Sequence, residues 1–418
     1  MIALKILAVL GGSFIILATL MSAVRTVVVP RGVPVRLGRR VFLIMRRLFE
    51  LRIGKDRSYA RRDRVFALYA PLTLLVLLLT WVALEFVGYT LVYLGLGIQP
   101  VRQAVEVSGS SLLTLGFSHP NDLGASIASF TQAAVGLILL TLLIAYLPML
   151  YGVFSRREAA VTTLESRAGA PPSAAEFLER LWRIEFFDHL SDVWTRWEDW
   201  FVELAETHTS FPALAFFRSP EPDHSWVTAA GTVLDTAALS CAVLERPRDP
   251  RAELMIRAGY LALRRIAAFF GFVFDPDPRP ADPVSITRQE FDQVCSRLSA
   301  AGVPLKPDRE SAWRDFAGWR VNYDTVLLEL AALTQAPPAP WTSDRSPVVR
   351  GVPDPGRGRG SRRSRAPVNA RGSGTVMRPD VRANATATTT RPGGTPPSSG
   401  RSSTSTRRPP RTRSPGSS

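Results

Sequence analysis

The chain has 418 residues, 46% of them hydrophobic and 21% charged, with a formal net charge of +15. That charge excludes a basic globular domain gripping nucleic acid, because it is split: 13 Lys or Arg face 3 acids between 25 and 64, 16 Arg face 3 Asp between 343 and 418, and the rest is net acidic. Two cysteines, Cys241 and Cys295, exclude a disulfide framework and are expected to stay reduced in a cytosolic setting.

Residues 2–24 offer about 20 apolar positions interrupted only by Lys5, enough to cross roughly 30 Å of hydrocarbon. A secretory signal peptide, with small residues at Ser22 and Ala23, is the competing reading. The positive cluster follows the apolar run from Arg25 onward, where a signal peptide would place it first. Basic loops stay cytosolic, so residues 1–24 are expected to form a transmembrane helix with its N-terminus outside. In the basic stretch 25–64, Arg39, Arg40, Arg46, Arg47, Arg61, Arg62 and Arg64 alternate with Val41, Phe42, Leu43, Leu48, Phe49 and Leu51. The pattern suits an amphipathic helix in the inner headgroup layer, with anionic-lipid contacts, and equally a solvated cytosolic loop.

A second apolar segment starts at Val65 and reaches Glu85, which its length places at the outer interface with Tyr89 and Tyr93 beyond it. A third runs from Gly124 to Phe154 and closes on Arg156 and Arg157, again placing positive charge inside. Three crossings leave the remainder in the cytosol. There, 170–336 is expected to be an all-helical domain, with helices over 171–207, 225–245, 250–270, 286–301 and 308–334 separated by Pro220-Glu221-Pro222 and Pro276-Asp277-Pro278. From Pro337 to Ser418 the composition turns to Pro, Gly, Ser, Thr and Arg, which cannot bury enough surface to order a chain. That tail is expected to be disordered and solvated, its arginines free to meet anionic lipid headgroups, RNA or nothing in particular.

Between the second and third segments, S-G-S-S-L-L-T-L-G-F-S-H-P spans Ser108 to Pro120. Moving an ion through oil requires oxygen atoms in place of its hydration shell, and backbone carbonyls supply them where glycine permits unusual φ values. Thr114, Leu115, Gly116, Phe117 and Ser118 follow a short helix centred on Gln103 to Leu113.

This arrangement resembles the pore module of potassium channels: outer helix, re-entrant pore helix, a T-[VIL]-G-[YF]-G filter and inner helix. The resemblance covers residues 65–155. It implies that Thr114 to Phe117 line or brace a filter, that Gly136 is a bending point of the inner helix, and that the chain is a homotetramer. Ser118 stands where the family's second glycine belongs, at a position expected to strain a serine. His119, at the pore mouth, replaces a commonly acidic residue and is suited to tune conduction between pH 5 and 8.

Other chemistry finds little support. The four histidines, 119, 189, 208 and 224, form no spaced pair for zinc. Asp188, His189 and Asp192 read as a solvated helix face, and Trp194, Trp197, Trp200 and Phe201 read as core. No phosphate loop, nucleophile elbow or H-E-x-x-H occurs, so no enzyme, metal or cofactor is expected. The expectation is an all-α membrane protein with three transmembrane helices and a re-entrant pore helix and filter, conducting cations, potassium among them, passively. The alternative is a non-conducting membrane-anchored scaffold whose helical domain binds a partner.

Overall fold

A computed structural model describes residues 2–27, 36–53 and 59–345. The described residues fold into thirteen α-helices without a strand, apart from an isolated bridge between Leu244 and Leu305. Helix α1 (Ile2–Val27) runs antiparallel to α4 (Tyr69–Leu96). Near the end of α1, Trp81 Nε1 donates to Ser22 Oγ at 3.2 Å. Near its start, a Cβ on Gly95 would lie 2.7 Å from the Lys5 carbonyl oxygen. A Cβ on Gly12 would stand 2.4 Å from the Gly88 carbonyl. Small residues thus let the two backbones touch, the device by which apolar helices associate where no hydrophobic drive separates them from their solvent.

Helices α2 (Arg36–Ile53) and α3 (Tyr59–Ala67) pack on the first half of α4, where Tyr69 OH donates to the Phe42 carbonyl at 3.1 Å. Residues 25–64 therefore include a basic amphipathic helix, α2, while 28–35 and 54–58 lie outside the described residues.

Helix α5 (Val101–Leu112) leads to α6 (Leu123–Ala168), which departs from expectation. The apolar span was expected to stop at Phe154, yet α6 continues unbroken to a glycine, Gly169, at φ +77. Its last stretch, S-R-R-E-A-A-V-T-T-L-E-S-R-A from Ser155 to Ala168, lies beyond Pro148, contains no breaker and holds several strong helix formers. At about 1.5 Å per residue the helix is about 69 Å long, more than twice the thickness of a hydrocarbon layer. Val161, Leu164 and Ala168 at its far end enter the same core as the helices that follow.

Those are α7 (Ala174–Arg183), α8 (Leu190–Ser210), α9 (Trp226–Val243), α10 (Pro250–Phe270), α11 (Arg288–Ala300), α12 (Arg309–Arg320) and α13 (Asp324–Thr334). Among the described residues, four helical segments are long and apolar enough to cross a membrane: α1, the run Arg61–Leu96, α6 and α9. In α9 nearly every side chain is buried, against α7, α10, α12 and α13. A helix that is apolar all round and enclosed by its own chain is a core helix.

Two expected helices are divided. The one over 171–207 breaks at Glu185, whose φ of +57 ends α7. The one over 308–334 breaks at 321–323, where the turn lets Arg320 and Tyr323 donate to Asp235 of α9 while Asp324 accepts from Arg320. The tail also begins later than Pro337: Ala339 and Trp341 are buried, and Arg345 Nη2 pairs with Glu290 Oε1 at 2.7 Å. These contacts hold residues 337–345 on the helical body, and 346–418 lie outside the described residues.

Three arginines tie the apolar helices to that body. Arg157 of α6, fully enclosed, donates to the carbonyls of Leu214 at 2.8 Å and Phe217 at 2.9 Å and pairs with Glu158. Arg46 of α2 reaches the Leu333 carbonyl, and Arg218 reaches those of Thr334 and Gln335 while pairing with Asp63 of α3. The last two place positive charge on the C-terminus of α13, where backbone carbonyls lack partners.

His208 of α8 lies 3.3 Å from Arg157, with Nδ1 3.0 Å from the Leu204 carbonyl. Burial, and then the adjacent guanidinium, push its pKa well below the ordinary value of 6.5, so the folded imidazole is neutral. The unfolded chain binds the extra proton below about pH 6.5, and stability is expected to fall there with a slope of up to about 1.4 kcal/mol per pH unit. Thermal midpoints measured between pH 7 and 5 should show that loss in the native chain and a shallower one in His208→Gln.

Candidate functional site

Helix α5 lies along the last part of α4 and descends from its end. Ser108 Oγ donates to the Phe86 carbonyl at 3.0 Å, and Phe86 stands ten residues, about 15 Å, before Leu96, where α4 ends. The chain then returns: a Cβ on Gly124, at the start of α6, would lie 4.0 Å from Leu96. The segment 101–122 is thus a hairpin of one helix and one non-helical limb against the C-terminal half of α4.

Buried hydrogen bonds fix the helical limb. Tyr93 OH donates to Gln132 Oε1 at 3.0 Å, Gln132 Nε2 donates to Ser108 Oγ at 2.8 Å, and Ser111 and Ser129 share a bond of 2.6 Å. Tyr89 OH donates to Thr131 Oγ1 at 3.3 Å. Sequence reasoning did not single out Ser108, Ser111, Ser129 or Gln132 for this role. The signal was present: Gln132 is an isolated amide in an apolar helix, and such a group needs a partner when buried.

At the bottom of the hairpin the chain reverses. The Leu115 N–H donates to the Ser110 carbonyl at 2.8 Å, and the Ser118 N–H to Ser110 Oγ at 3.0 Å. Thr114 has φ +52 and Gly116 φ +72, while Leu115, Phe117 and Ser118 keep negative φ. The strain expected at Ser118 is therefore absent; it falls on Thr114, a β-branched residue in the left-handed region, at about 1–3 kcal/mol. Thr114→Gly is expected to raise the thermal stability of the purified protein by about 1 kcal/mol.

Thr114, Leu115, Gly116 and Phe117 are exposed, Leu115 at 60% and Phe117 at 65%, and a Cβ on Gly116 would meet open space. His119 is exposed and Ser118 partly so. Leu113, Leu123, Ile127, Phe130, Leu137 and Ile138 extend the uncovered apolar surface along α6.

Two residues have surroundings that the sequence did not indicate. Gly136 sits within unbroken α6, and a Cβ there would lie 2.6 Å from the Leu112 carbonyl. The glycine admits the end of α5, a reason for its presence distinct from bending. Glu85 was placed at the outer interface because a span begun at Val65 runs out there. It is instead fully buried, eleven residues before α4 ends, and Tyr89 and Tyr93 are buried with it.

Elsewhere Trp194, Trp197, Trp200 and Phe201 pack into the main core. Cys241 and Cys295 are free thiols, with burial raising both pKa values, that of Cys241 to about 12. A cavity of about 950 Å³ between Asp188 and Trp319 is lined by Arg246, paired with Asp188, and Arg248, paired with Glu253. Among the described residues no group of His, Cys, Asp or Glu could hold a metal ion. Comparison with family models, curated proteins and solved structures finds no match to this chain.

Proposed function

We propose that residues 65–155 form one subunit's share of a cation pore, with α4 as outer helix, α5 as re-entrant pore helix, Thr114 to Ser118 as filter-like segment and α6 as inner helix. The observation that supports this best is the hairpin itself. Its helix stops about halfway along α4, and in the reversal that follows positive φ recurs at alternate residues, Thr114 and Gly116. Alternation of this kind lets successive carbonyls face one side. Irregular backbone at membrane depth is tolerated where protein surrounds it or water lines it. Copies of the same chain around an axis, four in number by resemblance to potassium channel pores, would meet that condition for the exposed turn.

In this reading the basic residues from Arg25 to Arg64 and the helical body lie in the cytoplasm, and the N-terminus of α1 outside. The exposed arginines of α2, Arg36, Arg40, Arg47 and Arg52, then face anionic headgroups. A membrane-anchored scaffold is the second reading, favoured by the Arg157 tie that fixes α6 rigidly to the helical body.

The geometry is tested by Thr114→Cys in a background of Cys241→Ser and Cys295→Ala. Mild oxidation in membranes should join chains through residue 114 into disulfide-linked pairs, with the bulk of the protein migrating as a tetramer before denaturation. A chain that stays monomeric and unlinked would contradict a shared axis at Thr114.

A further inference from the structure

Glu85 is fully buried, and both of its carboxylate oxygens lie in the interior without a hydrogen-bond partner. It stands on the face of α4 that meets α1. One turn earlier Trp81 donates to Ser22, and three residues later a Cβ on Gly88 would lie 2.9 Å from Ile16 and 3.2 Å from the Gly12 carbonyl. That antiparallel register brings Glu85 level with the buried Thr19 of α1.

Among the described residues no opposite charge faces it from any packed element. On α1, Lys5 lies beside Gly97, about 18 Å further along, and Arg25 is exposed beyond Ser22. On α5, Arg102 and Glu106 are exposed and paired with each other. The sequence of α6 holds no Asp, Glu, Lys or Arg from Leu123 to Phe154, and Tyr146 and Tyr151 lie in its later half. Gly38 meets Leu77, so Arg36, Arg39 and Arg40 of α2 are about 12 Å away along α4, with Arg46, Arg47, Glu50 and Arg52 further still. Arg61, Arg62, Asp63 and Arg64 precede α4 altogether, and Tyr89 is engaged with Thr131.

We propose that Glu85 is a proton-binding site in the seam between α1 and α4: the carboxyl keeps its proton while the helices touch and releases it when they part, so that proton release weakens the seam. An ionised carboxylate in this place would have neither counter-ion nor donor, which is costly at membrane depth. The closed seam then binds one proton more than the separated helices, and its stability falls as pH rises. The inference rests on α1 and α4 crossing the bilayer, not on conduction, so a failed flux assay leaves it standing.

The test uses the full chain in neutral-lipid liposomes with dicyclohexylcarbodiimide, an apolar reagent for protonated carboxyls. The carboxyl oxygen bonds to the central carbodiimide carbon while its proton passes to a nitrogen, and the acyl group then migrates from oxygen to the other nitrogen, leaving a stable N-acylurea with no leaving group. At pH 7 an ordinary glutamate, with a pKa of about 4.3, is almost wholly ionised. Mass spectrometry is expected to find the adduct on the Glu85 peptide at pH 7, declining about tenfold per pH unit once the site titrates. In parallel, the thermal midpoint in detergent should fall between pH 7.5 and 9, above the range in which His208 acts, in the native chain and stay flat in Glu85→Gln. No adduct on Glu85 at pH 7 overturns the proton site, and an adduct with equal pH slopes in both proteins overturns its link to the seam.

Discussion

Arg320→Leu is expected to destabilise the helical body by about 3–5 kcal/mol, enough to unfold much of it. Arg320 is fully buried, and its Nη1 donates to both carboxylate oxygens of Asp235, at 2.5 and 2.6 Å. Its Nε donates to Asp324 at 2.7 Å and its Nη2 to the Trp341 carbonyl at 2.6 Å. Tyr323 adds a hydrogen bond to Asp235, and the Ser285 hydroxyl one to Asp324. Leucine would leave two buried carboxylates with no cation and remove the hydrogen bond to the Trp341 carbonyl. Removing the charges together, in Arg320→Leu with Asp235→Leu and Asp324→Asn, should restore part of the loss, because the larger penalty is the uncompensated charge. Chemical denaturation of the detergent-solubilised protein checks both variants. A single variant within about 1 kcal/mol of the native chain would show that the network contributes little.

The second large effect is expected at Gly136. If this glycine served as a bending point, Gly136→Ala would stiffen α6 and alter opening without touching stability. The close approach of Leu112 makes the opposite expectation. An added Cβ meets a backbone carbonyl that cannot swing aside, and Gly136→Val must drive the end of α5 away from α6. The loss should be about 1–3 kcal/mol in the thermal stability of the membrane portion. Because Leu112 leads directly into Thr114, conduction should vanish in the same variant. Unchanged stability with altered opening would restore the bending role.

The apolar segments were legible because hydropathy over about 20 residues needs no tertiary information. The helix order was legible from spacing and from breakers such as Pro220 and Pro276. What could not be read depended on which element covers which. Glu85 looked interfacial because counting began at Val65, whereas α4 starts at Tyr69 and runs to Leu96, which leaves the glutamate inside. The far half of α6 was lost because its apolar signal fades at Phe154, while helix propensity, a separate matter, persists to Ala168. Trp341 and Arg345 looked like tail by composition and are held by partners distant in the chain, Trp341 by Arg320 and Phe316 and Arg345 by Glu290. In the hairpin, T-L-G-F drew attention to Thr114 through Phe117, but the residues that brace it, Ser108, Ser110, Ser111 and Gln132, belong to no motif. Their role follows from a pairing of α5 with α6 that spacing alone does not specify.

The proposed pore is tested most directly by potassium flux into liposomes holding the purified full-length chain, driven by a potassium gradient and followed beside Thr114→Ala and Gly116→Ala. The account predicts flux well above that of empty liposomes for the native chain, with a marked loss in both variants, since Gly116 at φ +72 accepts no side chain without strain and Thr114 begins the reversal. Native and variant proteins that leak equally little, or equally much, would contradict it.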